Sequence, residues 1–361
     1  MDNPNIEKKP TPFLDPKIFT GEEKILSLVQ PEVKKNVYIP DWTNRPEELP
    51  GIIKLGGTTI LTHQNTGALI ANPGAGKSSA MEAIAASFLN PAADNLGFDV
   101  DQSCPGIIIV DNERTNTDVW NSFYRMCRRA GISEGEDIGN VKIAGLRSVA
   151  RLNERVKVIE HLLDNNPCGL LLLDGAGDLV LDTNDLSQAI ECRIWLRELT
   201  VKYNISIFVT LHPNPGSEKP RGHQGSEICR EAECVLLAKP FDGDTKVITS
   251  DFEHGKNRNN PKLTTAFRWS DQHRMFVSAD YEDAIASKSD ALDQKRRLNS
   301  KALASTVLTG QKAMKHAELV DAIMDKSSCK ESSAKTRIRE MTAWGYVEKG
   351  QDERYRLSNP A

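Results

Sequence analysis

The residues with the clearest chemical purpose stand together: Ala71-Asn72-Pro73-Gly74-Ala75-Gly76-Lys77-Ser78. They follow the apolar run Gly67-Ala68-Leu69-Ile70 and open a stretch of helical periodicity, so the pattern predicts strand, tight loop, helix. Glycines let main-chain N–H groups curl around an anion, and a helix N-terminus adds its positive dipole end. A lysine at the position of Lys77 is expected to reach the β- and γ-phosphates of a nucleotide, and the Ser78 hydroxyl to hold a magnesium ion. The place usually taken by the first glycine of this signature is held by Ala71, another small residue. The expected ligand is a nucleoside triphosphate, ATP, with Mg2+. The expected binding set is Ala71, Asn72, Pro73, Gly74, Ala75, Gly76, Lys77, Ser78 and Ser79.

Acids follow at the ends of two further apolar runs. Gly169-Leu170-Leu171-Leu172-Leu173-Asp174 reads as a buried strand ending in a carboxylate, roughly 100 residues after the loop. Beside the loop, Asp174 would coordinate magnesium through Ser78 or a water. Ile107-Ile108-Ile109-Val110-Asp111-Asn112-Glu113 is a second such run. Glu113 lies just past its carboxyl end, where α/β sheets gather their chemistry, and a carboxylate there can orient or deprotonate an attacking water. The alternative is that Glu113 caps the next helix, with Asp111 or Thr115 as competitors.

Elements must hold these groups in place. Residues 1–50 carry eight prolines and read as an extended arm with one short helix over 21–29. From 51 to 280, apolar runs at 67–70, 106–110, 169–173, 205–210 and 234–238 alternate with helices near 77–89, 115–130, 151–165 and 185–203. Near-continuous apolar strands are buried on both faces, which predicts an α/β fold: a mostly parallel sheet sandwiched by helices. Segments 246–252, 263–269 and 275–277 alternate like antiparallel edge strands. Residues 281–311 read as a charged helical linker. Residues 312–361 read as two helices followed by a two-stranded ribbon, the pattern of a small α+β winged-helix domain.

Composition narrows the class. A formal net charge of −4 excludes a polycation, so nucleic-acid contact must come from local patches. Seven cysteines without a CxxC pair or zinc-ligand spacing predict reduced thiols in a cytoplasmic protein. No apolar run approaches the roughly 20 residues of a membrane span, and the polar, Pro-rich start is unlike a signal peptide.

With these motifs in place, 50–280 resembles the RecA-like ATPase superfamily, and within it the hexameric replicative helicases and the RepA-like helicases of plasmids and mobile elements. The resemblance assigns Glu113 as the residue that activates water and Asp174 as the magnesium (Walker B) acid. It assigns His212, after the strand 205–210, as the sensor of the γ-phosphate, where a lone histidine otherwise reads as structural. Arg221-Gly222-His223-Gln224-Gly225-Ser226 reads as a polar glycine-rich loop, facing nucleic acid in the family or else only flexible surface. His254-Gly255-Lys256-Asn257-Arg258 is similar to a Lys-x-Arg segment whose cations reach the phosphate bound by the neighbouring subunit, which requires a homo-oligomer, a hexamer in the family; the bland alternative is a solvated basic hairpin.

In the C-terminal unit, 332–339 is the expected recognition helix, with Lys335 and Arg339 on one face, Arg337 offset, and Ile338, Met341 and Trp344 in the buried stripe. Lys349 and Arg354, with Arg356, sit on the expected wing. These residues would contact duplex DNA, while Arg221 would contact single-stranded DNA; winged helices also bind proteins. The combined expectation is an oligomeric ATP-driven DNA motor, a helicase or replication-initiation ATPase. The alternatives are a DNA-binding regulator or loader with an ATP-dependent switch and, more remotely, a metabolic kinase.

Overall fold

The computed structural model describes residues 38, 42–43, 45–258, 260–309 and 313–358. The chain divides into two units, Met1–Leu49 and Pro50–Ala361. In the first, Arg45 and Glu48 form an exposed ion pair at 3.2 Å; the helix expected over 21–29 lies outside the described residues.

The second unit begins with β1 (Gly51–Leu55), β2 (Thr58–Thr62) and β3 (Thr66–Ala71), then α1 (Lys77–Leu89), β4 (Phe98–Val100), β5 (Ile107–Asp111), α2 (Asn116–Ala130), β6 (Val141–Gly145), α3 (Leu152–Asn165) and β7 (Leu170–Asp174). It continues with α4 (Leu186–Tyr203), β8 (Ser206–Leu211), α5 (Gly222–Glu231), β9 (Cys234–Asp242), β10 (Thr245–Thr249), β11 (Lys256–Asn257), β12 (Thr264–Ser270) and β13 (Met275–Ala279). The main sheet runs β6-β5-β7-β8-β3-β9 with every neighbouring pair parallel, and β10, β12 and β13 extend it antiparallel beyond β9. The molecule is thus α/β, with a large, mostly parallel central sheet flanked by helices. A separate antiparallel sheet, β2-β1-β4, was not anticipated from the sequence.

The apolar runs are continuous because successive residues point to opposite, equally buried faces. Leu170 and Leu172 join a core with α1 and the small sheet, alongside Ile107, Ile109 and Phe208. Leu171 and Leu173 join a second core with α3, α4 and α5, alongside Ile108, Val110 and Val209. Caps set the helix ends: the Thr115 side chain accepts from Asp118 N at the start of α2, and Gly131 ends it in the left-handed region. The stretch 221–226, expected as a loop, is instead the N-cap and first turn of α5. Tertiary contacts override its glycine-rich composition: buried Gln224 donates to Ala176 O at 2.7 Å, and Gly225 packs on Pro220.

Beyond the sheet, α6 (Tyr281–Val307) is one helix of 27 residues. It is followed by α7 (His316–Ser327), α8 (Glu331–Ala343) and an antiparallel ribbon of β14 (Val347–Lys349) and β15 (Tyr355–Leu357). A third core unites Leu319, Ile323, Ala334, Ile338, Met341 and Val347 with Ala304 and Leu308, so the last turn of the expected linker packs into this small unit. Trp344, expected in the buried stripe, is half-exposed, and the Arg297 guanidinium lies over its ring at 5.7 Å.

Among the described residues no helix is long and apolar enough to cross a membrane. All seven cysteines are free, and burial pushes the Cys168, Cys229 and Cys234 thiols up to about 12.

Helix α1, which carries the expected lysine and serine, is clamped to α2 by a buried carboxylate. Glu82 is 3% exposed and accepts from Ser122 Oγ at 2.5 Å and from Arg125 at 2.6 Å. Glu82→Ala strands the arginine and is expected to cost about 3 kcal/mol, the low end for a broken buried pair because Arg125 is partly exposed. Urea denaturation tests this: the midpoint should fall with the slope unchanged, and an unmoved midpoint would show that the clamp contributes nothing.

Candidate active site

The loop between β3 and α1 leaves several main-chain N–H groups without a partner among the described residues. Ala71 is the last residue of β3, fully buried and in register with Ala238. Its φ is not positive, so this position needs a small side chain and no glycine. Asn72, Pro73 and Gly74 are exposed. Ala75 N donates to Asn72 O at 3.1 Å, closing the turn. Gly76, the N-cap of α1, has φ 108°, and a Cβ there would meet Phe267 at 2.8 Å, so only glycine fits. Among the described residues the N–H groups of Gly74, Gly76, Lys77, Ser78 and Ser79 have no acceptor. Five uncommitted donors at the start of a helix are a ready anion site. On the outer side, Lys246 of β10 donates to Gly74 O at 2.5 Å with its ammonium 4.1 Å from the Phe276 ring; burial holds its pKa below the usual lysine value.

Strands β3, β8, β7 and β5 are adjacent and parallel, so their carboxyl ends deliver side chains to one edge. Lys77 Nζ, its side chain only 10% exposed, lies 2.9 Å from His212 Nε2 and 3.9 Å from Glu113 Oε2. His212 Nε2 is also 3.3 Å from Glu113 Oε1. One ring nitrogen thus faces a donor and an acceptor: bare, it accepts from Lys77; protonated, it donates to Glu113. The histidine contact, then Lys77, hold the Glu113 carboxyl below the usual glutamate range against the opposing effect of burial. Glu113 does not cap α2, since Thr115 does; Asp111 accepts from the N–H groups of Glu113 and Arg114 at 3.0 and 2.8 Å and shapes the turn. Gly175 lets the glutamate in: its φ is 78°, and a Cβ there would lie 2.5 Å from Glu113 Cγ.

Asp174 is 4% exposed. Thr210 Oγ1 donates to it at 2.5 Å and Arg114 approaches at 3.6 Å. Arg114 also pairs with Asp111, the in-register neighbour of Asp174. Sequence reasoning missed Arg114 and Thr210. Arg114 stands next to Glu113 in the chain, but that adjacency does not tell which acid it pairs with, and nothing in β8 marked Thr210.

A cavity of about 380 Å³ adjoins this edge, lined by Glu113, Asp178, His212, Arg221 and Gln224 among others. Burial raises the Asp178 carboxyl above its usual value, opposed by Arg155. Arg221 is exposed at the rim, its N–H donating to His212 O at 2.9 Å.

The structure places Lys256 and Arg258 elsewhere, at the C-terminal end of α5. Lys256 Nζ donates to Cys229 O and Arg230 O at 3.2 and 3.0 Å, and Arg258 to Glu231 O at 3.2 Å. Both cations therefore satisfy helix-end carbonyls of their own chain. Burial, then the neighbouring Arg258, lower the Lys256 pKa.

The remaining sequence candidates lie on α8 and the ribbon. Lys335 and Arg339 are exposed, and Lys335 pairs with Glu331 at 2.6 Å. Arg337 is half-buried on a different side of α8. Lys349 pairs with Glu353, while Arg354 is exposed with no acidic partner among the described residues.

The chain matches no protein-family model and no curated protein.

The depressed Glu113 carboxyl fixes a pH dependence. A group whose folded pKa lies below its unfolded value contributes stability above the unfolded value and loses it as the pH falls through the folded one. The unfolding free energy of wild type should exceed that of Glu113→Gln above about pH 5, and the gap should close below the ordinary glutamate value of about 4.3. Denaturant titrations of both proteins across that range test this; a gap independent of pH would refute the Lys77–His212–Glu113 contact.

Proposed function

We propose that the chain is an ATP-hydrolysing motor of RecA-like type that acts on DNA as an oligomer, a helicase or replication-initiation ATPase of a mobile element. The observation that carries this is the cup of free amides beside Lys77, facing Glu113 and His212 across adjacent strand ends. The amides of 74–79 and Lys77 would bind the β- and γ-phosphates. Glu113 would accept the proton of the attacking water. His212, in contact with both Lys77 and Glu113, would sense whether the γ-phosphate is present. The strand order and the helices on both faces are compatible with a RecA-like fold.

Magnesium fits the donors at hand. Ser78 and Asp174 offer hard oxygen atoms, and an ion that takes most of its ligands from phosphates and water needs only one or two carboxylates; no cluster of three ligating side chains occurs among the described residues. When bound, the ion would neutralise charge developing on the phosphate oxygens. Thr210 holds the Asp174 carboxylate in place for it.

A slow ATP-dependent switch, as in a DNA-binding regulator or loader, is the second reading, favoured by Lys256 and Arg258 resting on carbonyls of their own chain. Arginine-finger cations supplied to a neighbour accelerate hydrolysis by about 10³ to 10⁵. If the two act in trans, Lys256→Ala with Arg258→Ala should lower turnover by about that factor without weakening ATP binding, and wild-type specific activity should rise with protein concentration. Concentration-independent activity, unchanged in the variant, would leave the switch.

The reading as a whole is tested by equilibrium ATP binding with and without Mg2+. Affinity should need magnesium and fall at least tenfold in Lys77→Ala. Glu113→Gln should bind ATP normally and hydrolyse it about 10² to 10⁴ times more slowly. Undiminished binding by Lys77→Ala would overturn it.

A further inference from the structure

We infer that the groove between α6 and α8 binds the phosphodiester backbone of a nucleic acid, on a side of α8 other than the one that presents Lys335 and Arg339. The inference rests on the DNA-binding reading above and names the surface that serves it. The cavity there holds about 670 Å³ and is lined by Arg296, Lys326, Arg337, Ser327, Ser333 and Glu340 among others. Three cations face one carboxylate, and that carboxylate, Glu340, is already paired with Arg296 at 2.6 Å. Among the described residues Lys326 and Arg337 have no acidic partner within 4.0 Å. Ser333 lies in the first turn of α8, whose N-cap, Lys330, makes no side-chain cap; the positive end of that helix dipole adds to the same field.

The outward face is weaker by comparison, because Lys335 is tied to Glu331. The groove walls are mostly hydroxyl, amide and cationic, with Ala302 and Leu303 the apolar residues lining it. Such a surface suits a phosphate backbone, which wants point cations and small polar residues that permit close approach. Lining residues extend from Arg296 to Thr306 on α6, about 15 Å of helix axis, which is long enough for more than one phosphate.

The test is fluorescence anisotropy of the full chain with labelled oligothymidine and with a mixed-sequence duplex, over a salt series. Two variants are compared, Lys326→Gln with Arg337→Gln in the groove and Lys335→Gln with Arg339→Gln outside it. A third, Lys326→Glu at an exposed site, guards against misfolding of the first. The groove variants should bind at least one of the two probes about tenfold more weakly, with the double variant's salt slope reduced by about two. Magnesium-dependent ATP binding should stay as in wild type. Affinity lost only in the outward variant would overturn the groove while leaving DNA binding intact. Wild type that binds ATP but neither oligonucleotide would overturn the groove and spare the nucleotide site. Inorganic tripolyphosphate that competes where no oligonucleotide binds would identify a free polyphosphate ligand instead and overturn the nucleic-acid assignment.

Discussion

Asp111 and Asp174 end neighbouring parallel strands in register, and two carboxylates so placed repel unless a cation stands between them. Arg114 is that cation, paired to Asp111 and 3.6 Å from Asp174. Much of the site follows from this one contact. Asp111, held by Arg114, accepts the two backbone N–H groups that tighten the turn after β5. The turn throws Glu113 across Gly175 toward Lys77, and α2 then starts from Thr115. Asp174 keeps its second oxygen on Thr210, a side chain from the next strand. Buried charge of this kind is weak evidence for stability; here it fixes where strand ends and side chains point.

The parts of the fold that were legible in the sequence are those whose residues had no freedom. Leu170 to Leu173 are apolar without interruption because both faces of β7 meet a core, and the helices between such strands show their own period. The small sheet of β1, β2 and β4 was illegible because its strands are short and partly polar, and one of its two pairings, β1 with β4, joins residues about 45 positions apart. Helix α5 was hidden because its first turn is poor in helix formers and takes its stability from Gln224 bonding to Ala176 and from the seat of Gly225 on Pro220. Within the site, Lys77, Glu113, Asp174 and His212 could each be named from a strand end. Arg114 could not, because a basic residue at a helix entry carries no sign of which acid it will bridge. Thr210 was lost inside an apolar run, where sequence alone does not tell which side chain crosses to the neighbouring strand.

The two cation sets contrast in the same terms. Lys256 and Arg258 sit where a helix end already has use for positive charge, so their rest position is stable without a second subunit. Lys326 and Arg337 have no such use: among the described residues they have no acidic partner within 4.0 Å, and the carboxylate lining their groove, Glu340, is paired with Arg296. Unmatched charge facing a polar groove lowers its energy by acquiring an anion, whereas matched charge must first be released.

Under the proposed function, nucleotide and catalytic base would communicate through Lys77. Lys77 is partnered by His212 and Glu113. The Lys77–Glu113 pair is stretched to 3.9 Å, and short charge-assisted bonds to phosphate are stronger, so a triphosphate in the cup would draw the lysine away. Glu113 would then lose a cation that holds its pKa down and gain phosphate charge nearby. Both changes raise its proton affinity. Under that reading the carboxylate would be a weak base while the cup is empty and a better one with substrate in place. The contact that stabilises the free protein is thus the one whose loss would ready it for proton transfer.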